Sequence, residues 1–181
     1  MEILTTKRLI LRPFKLSDAA DEFEFASLQE VGFNAGFKPH EHIEETEKVI
    51  ANFIAQDEVW AIELKDNGKV IGSIGLHPDS LRQDLNTKEI GYVLSPHYQK
   101  QGLMHEAIAA VLEFGFKKLS LSLIGANHFS FNESSKRVIL RSGFKYDGMI
   151  RRARCLYDGT KVDLMIYSLN KRQYFNKEVG V

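Results

Sequence analysis

Cysteine is nearly absent. The only one in the 181 residues is Cys155, and a lone thiol excludes an internal disulfide and a multi-thiolate metal centre. Proline is scarce, at 4 residues, and no Pro/Gly/Ser-rich linker or internal repeat divides the chain. No apolar run approaches the ~18 residues of a membrane span, and the N-terminal MEILTTKRLILRPF lacks the basic-then-apolar layout of a signal peptide. Charge of one sign is not in excess either: Lys+Arg and Asp+Glu each number 24. That argues against a membrane partner or direct nucleic-acid binding by bulk charge. What is there, 44% hydrophobic and 27% charged, suits one folded domain over 1–181, expected in the cytoplasm.

Local chemistry predicts the elements. Residues 8–14 read as a strand. Ser17 reads as the N-cap of a short helix to Ala26, and 28–40 as loop. Over 41–56, Ile43, Thr46, Ile50, Phe53 and Ile54 share one helical face. Two β-rich runs, 59–64 and 69–77, flank Asp66-Asn67-Gly68 and predict an antiparallel hairpin in which Trp60 is core. A fourth strand follows at 88–95. Met104, Ala107, Ile108, Val111, Leu112 and Gly115 form the apolar stripe of a helix over 103–118. The fifth strand is expected at 119–126, a helix at 133–142 ending on Gly143, strands at 144–152 and 161–168 about a Tyr157-Asp158-Gly159 turn, and a short helix after Asn170. The order predicts an α/β fold with a mixed, mostly antiparallel sheet, flanked by about four helices, with the fourth and fifth strands parallel across a crossover.

Tyr98-Gln-Lys-Gln-Gly-Leu-Met-His-Glu-Ala107 joins the fourth strand to a helix. A glycine there lets backbone approach a ligand, and the first amides of the helix point outward at its positive end, which suits phosphate. No Gly-Lys-Ser/Thr follows and no G-x-G-x-x-G is present. On these residues alone, an ordinary strand-to-helix turn is the commoner reading.

Gln99-Lys100-Gln101-Gly102-Leu103-Met104 resembles the Q/R-x-x-G-x-G/A signature of the GNAT acetyltransferases, and Glu89-Ile-Gly-Tyr92-Val93-Leu94 resembles the strand before it. Asn132-Glu-Ser-Ser135 through Gly143-Phe144 is similar to that family's N-x-x-S…G-F segment. Lys7–Phe14 and Tyr157–Tyr167 resemble the ribosomal-protein N-acetyltransferase subgroup. The matches span about 5–174, in the family's order and spacing. The resemblance implies acetyl-CoA as co-substrate, an amine acceptor and no metal. It implies that backbone amides from Gln101 to Met104, in a loop with Gln99 and Lys100, hold the pyrophosphate. The fourth and fifth strands should splay, with the pantetheine arm along Tyr92, Val93 and Leu94. Asn132 would hydrogen-bond that arm, and Ser135 would lie near the thioester sulfur, where it or a water would donate the proton. The sequence departs from the pattern at Met104, in place of Gly or Ala, and at Ile139, where many relatives carry a tyrosine acid.

Glu89 shares a strand face with Gly91 and Val93. It reads as the base for the incoming ammonium or, equally, as a carboxylate in a cross-strand ion pair. Asn132 reads as a helix cap as well as a ligand contact. Phe33 and Phe37 line an acceptor pocket or anchor their loop. Charge is uneven: residues 15–58 hold 3 basic and 11 acidic side chains, and 96–154 hold 10 basic and 4 acidic. The basic stretch suits phosphates and the acidic one a cationic acceptor. The acceptor is expected to be a protein N-terminal α-amino group. The alternatives are a small amine (polyamine, amino acid or aminoglycoside) or a non-catalytic acetyl-CoA-binding module. A monomer and a homodimer both remain open.

Overall fold

A computed structural model of the chain describes residues 1–83 and 85–178. In chain order its elements are β1 (Leu4–Thr5), β2 (Leu9–Pro13), a 3₁₀ turn at Leu16–Asp18, α1 (Ala19–Ala26), α2 (Gln29–Ala35), α3 (Ile43–Gln56), β3 (Val59–Leu64), β4 (Val70–Pro78) and β5 (Thr87–Leu94). A second 3₁₀ turn, Pro96–Tyr98, leads to α4 (Leu103–Glu113), which ends in a π-turn at Phe114–Lys118. Then come β6 (Leu123–Phe129), α5 (Glu133–Arg141), β7 (Lys145–Cys155), β8 (Lys161–Asn170) and α6 (Lys171–Glu178).

The strand order is β1-β2-β3-β4-β5-β6-β8-β7. Neighbours pair antiparallel from β1 to β4 and again from β6 through β8 to β7, whereas β5 and β6 pair in parallel. This is the expected mixed, mostly antiparallel α/β architecture; β1 shifts the strand numbering by one. The parallel pairing runs from Thr87↔Leu123 to Ile90↔Ala126 and stops, although β5 continues to Leu94 and β6 to Phe129. Turn chemistry explains both hairpins. Asn67 Oδ1 accepts from Lys69 N at 3.1 Å between β3 and β4. Asp158 accepts from Thr160 N and Oγ1, both at 2.9 Å, between β7 and β8.

Three expectations are corrected. Residues 28–40 are not all loop, because α2 lies within them. Its signal is Gly36, which adopts φ 86° as the left-handed C-cap and returns its N–H to Gly32 O at 2.7 Å. Ser17 is not an N-cap. It sits inside the 3₁₀ turn, and Asp18 accepts from Lys15 N at 2.8 Å instead. The fifth expected strand starts at Leu123, not 119, because the π-turn carries the helical region to Lys118 and Leu119–Ser122 must reverse the chain.

The chain divides into two units. Met1–Gly75 with Tyr92–Ala110 packs Phe14, Ala19, Ile50, Val59, Ala61 and Val70 into one cluster, against which Phe53 lies. On α3, Thr46 and Ile50 are buried as expected, while Ile43 and Ile54 are exposed. Trp60 is buried, and its indole N–H donates to Glu2 O at 2.8 Å. Among the described residues the second unit holds Leu76–Gly91 and 111–178; Ile124, Ile139, Phe144 and Leu169 are buried there, and Phe116 stacks on Tyr174 at 4.8 Å. Among the described residues no helix is long and apolar enough to cross a membrane, and no group of three or more His, Cys, Asp or Glu could hold a metal ion.

Candidate functional site

The loop between β5 and α4 has an unusual backbone. Gln99 is extended (φ −71°, ψ 167°), Lys100 takes φ 60° and Gly102 φ 78°. Two left-handed residues thus flank Gln101. A Cβ at Gly102 would have room, its nearest neighbour being Arg8 Nη2 at 3.7 Å, so conformation and not crowding calls for glycine here. Gln99, Lys100, Gln101 and Gly102 are exposed, whereas Leu103 and Met104 are buried. The two glutamines spend their side-chain amides on the fold: Gln99 Nε2 donates to Leu94 O at 3.2 Å and Gln101 Nε2 to His97 O at 3.3 Å. What this segment can offer a ligand is therefore main chain, together with the Lys100 ammonium. Gly102 O accepts from Glu106 N at 3.1 Å, so the amides of Gly102, Leu103 and Met104 lie ahead of the intrahelical ladder. Such amides at the positive end of a helix suit an oxyanion or a diphosphate.

Reasoning from the sequence missed what fastens this loop. Glu106 accepts from Thr6 Oγ1 at 2.6 Å, from Arg8 N at 2.7 Å and from Arg8 Nε at 2.7 Å. Arg8 Nη1 donates to Gln101 O at 3.0 Å. Burial acts to raise the Glu106 carboxyl, but the bonds from Thr6 and Arg8 outweigh it and hold the group below its ordinary range.

Tyr92, Val93 and Leu94 close β5, each half-buried. The remaining candidates belong to the second unit. Glu89, half-buried, stands opposite Gly125 in the parallel ladder. Burial pushes its carboxyl above the ordinary carboxylate range. The Asp79 charge acts in the same direction, while a hydrogen bond from Asn127 and the Arg154 and Arg82 charges oppose them. Asp79 is itself buried, bound to Arg82 Nη1 at 3.0 Å, and Arg82 Nη2 reaches Asp147 at 2.8 Å. Glu89 therefore sits among charges of both signs, where a carboxylate can exchange a proton nearer neutrality than it would in water.

Asn132 caps α5, its Oδ1 accepting from Ser135 N at 3.0 Å. This is the capping role read from the sequence. Ser135 is half-buried in the first turn of α5, and Ile139 is buried one turn further on. A buried His128–Tyr167 pair, Nε2 to OH at 3.1 Å, was not anticipated. Burial lowers the His128 pKa and raises that of Tyr167, so it favours the neutral form of both groups. Cys155 is exposed at the end of β7, its Sγ 3.8 Å from Leu156 O.

Known proteins resemble this chain in sequence and in fold. The family model described as an acetyltransferase (GNAT) domain matches residues 8–145. The uncharacterized N-acetyltransferase YoaA of Bacillus subtilis (strain 168) is 38% identical over 175 residues, covering 93% of this chain and 97% of YoaA. A GNAT-family acetyltransferase structure from Bacillus anthracis superposes with a TM-score of 0.85 at 23% identity, covering 94% of this chain and 99% of that one. A ribosomal-protein-S5-alanine acetyltransferase structure from Vibrio fischeri has a TM-score of 0.73 at 20% identity, covering 94% and 97%. The chain belongs to the GNAT acetyltransferase family.

Proposed function

We propose that the protein is a cytoplasmic enzyme that moves an acetyl group from acetyl-CoA to the N-terminal α-amino group of a protein. One observation carries the reading: between β5 and α4 the backbone passes through two left-handed residues into a helix start whose first side chains, Leu103 and Met104, are buried. Main chain is what that helix start presents, and main-chain amides are what a diphosphate needs. Acetyl-CoA brings that diphosphate together with an activated thioester. In this reading the amides from Gln101 to Met104 take the pyrophosphate. Gln99 sets the loop's path, Lys100 adds positive charge, and the pantetheine arm follows Tyr92, Val93 and Leu94. Asn132 hydrogen-bonds the arm, and Ser135 faces the sulfur.

The acceptor must be neutral to attack. An α-amino group titrates near ~7.7–8.0 and a lysine near ~10.4, so an N-terminus needs far less assistance. Glu89, with its raised pKa, is the group that accepts the proton. Attack on the thioester carbonyl places negative charge on its oxygen, which a main-chain N–H near Val93 stabilises. The leaving thiol, with a pKa of about 8.5 if it resembles cysteine, departs with little help, and Ser135 or water returns its proton. The acidic excess over residues 15–58 suits a cationic acceptor. The Vibrio fischeri structural neighbour, an acetyltransferase of a ribosomal protein, favours a protein terminus over a small amine.

Release of free thiol from acetyl-CoA, measured across peptides with free N-termini and a set of polyamines, amino acids and aminoglycosides, tests this. Turnover on peptides, with the mass increment on the α-amino group, is expected. Turnover on small amines alone overturns the acceptor. Tight acetyl-CoA binding without turnover on any amine makes the protein a binding module.

A further inference from the structure

Arg8 belongs to none of the motifs around the loop, yet it reaches that loop from 93 residues away in sequence. Its guanidinium is committed on two sides: Nε to Glu106 Oε2 at 2.7 Å and Nη1 to Gln101 O at 3.0 Å. Its backbone N–H also donates to Glu106 Oε1, at 2.7 Å, and Thr6 Oγ1 donates to the same oxygen at 2.6 Å. The carboxylate thus has three donors and its position is fixed.

The bond to Gln101 O matters because of peptide geometry. In a planar trans peptide the Gln101 C=O and the Gly102 N–H lie in one plane and point in opposite directions. Holding that carbonyl toward Arg8 turns the Gly102 N–H to the opposite side, away from Arg8. Without the tether this peptide unit can rotate at small cost, because glycine accepts either sign of φ. Charge adds a second reason. Glu106 lies in the first turn of α4, where an unpaired carboxylate would repel an incoming diphosphate. The Arg8 guanidinium cancels it.

We infer that Arg8 is a positioning residue for diphosphate binding: through the Gln101 carbonyl it aims the Gly102 amide at the ligand, and Glu106 holds Arg8 in the one place from which it can do so. The inference rests on the acetyl-CoA reading above and deepens it. Arg8 itself need not touch the ligand.

Calorimetric titration of the full chain with acetyl-CoA, set beside kcat and KM, tests it in wild type, Arg8→Ala, Arg8→Lys and Glu106→Gln. Misdirecting one amide that binds a charged group should cost roughly tenfold in affinity. Arg8→Ala and Arg8→Lys should both show that loss, since a lysine has the charge but no fork to reach Glu106 and Gln101 together. Their kcat at saturating acetyl-CoA should stay within about twofold of wild type. Glu106→Gln should weaken binding in the same sense, and adding Arg8→Ala to it should cost little more. Wild-type affinity in Arg8→Lys would reduce the role to charge alone and overturn the inference, as would wild-type affinity in Arg8→Ala. Parallel losses of affinity, kcat and melting temperature would make the group a mere structural staple, which also overturns it. If Arg8→Ala does not fold, Arg8→Lys, which keeps a cation beside Glu106, decides the matter. A wild-type chain that binds no acetyl-CoA defeats the proposed function itself, and the role of Arg8 with it.

Discussion

Replacing Glu22 by glutamine should stabilise the protein near neutral pH and lose that advantage in acid. Glu22 lies on the buried face of α1, and its Oε2 has no hydrogen-bond partner among the described residues. Burial, reinforced by the charge of Asp18 one turn earlier, lifts its pKa from 4.5 to about 8. Asp18 is not free to move, because Arg12 grips both its oxygens, at 2.7 and 2.9 Å. The folded chain therefore keeps the Glu22 proton at neutral pH, while the unfolded chain gives it up. Between 4.5 and about 8, unfolding releases a proton, so stability falls as pH rises through that window. At ~1.36 kcal/mol per pH unit, the loss near pH 7 is about 3 kcal/mol, of which about 2.5 kcal/mol develops above roughly pH 5. At about 2–4 °C per kcal/mol for a chain of this size, that is a difference of about 6–12 °C in Tm. The amide of Glu22→Gln cannot ionise in either state and keeps the shape of the neutral acid. Urea unfolding of wild type and Glu22→Gln at a series of pH values from about 5 to 8 measures it. The variant's advantage should widen steadily with pH. A constant gap between the two curves would mean that Glu22 is ionised, or solvated, in the folded protein, and the reasoning from burial fails.

Three further outcomes are expected. Gly102→Val forces a β-branched residue into φ 78°, so acetyl-CoA affinity measured by calorimetry should fall at least tenfold, against a stability loss of about 1–2 kcal/mol; equal losses would make the glycine a turn residue only. Glu89→Gln should lower kcat by about 10²–10⁴ with little change in the KM for acetyl-CoA. Because Glu89 titrates above the ordinary range, the wild-type rate should fall in acid earlier than a solvent carboxylate would dictate. The variant's deficit should shrink as pH rises toward the acceptor's own pKa; a change confined to the acceptor KM would make Glu89 an anchor for the ammonium. Cys155→Ser should keep most activity, since the thiol is exposed and bonded only weakly to Leu156 O; ping-pong kinetics together with an inactive variant would point to a covalent route.

The elements that were legible in the sequence are those whose causes are local. Asn67 and Asp158 each bond to backbone two residues on, so their hairpins are written in three or four consecutive residues. Asn132 caps a helix by bonding three residues ahead, and the stripe from Met104 to Gly115 on α4 and its π-turn is buried throughout. Where causes are distant, the sequence is silent. Nothing near Arg8 or Glu106 indicates that they meet, because 98 residues separate them. Nothing in AADEFEFA says that Glu22 is buried while Glu24 stays exposed enough to pair with Lys69. The α2 helix is only seven residues long, too short for periodicity to declare itself.

The two departures from the family pattern have different physical consequences. Met104 replaces a glycine or alanine in the loop signature, where bulk would be expected to tighten the helix start. Its side chain is buried with only 5% exposure, so the thioether is taken up by the core. A large side chain is compatible with a main-chain anion site when it points to the interior, because the ligand meets only N–H groups. Ile139 is different. It is also buried, at 1% exposure, but a hydrocarbon cannot take over the chemistry of a phenol. Any proton reaching the departing sulfur must come from elsewhere. A thiol with a pKa near that of cysteine, about 8.5, is a good enough leaving group at neutral pH for the missing acid to cost little, whereas an ammonium cannot attack at all until it is deprotonated. In the proposed reaction the demand therefore falls on the base, and with Glu89 in that role the charges around it, and not the identity of the residue at 139, should govern the pH dependence.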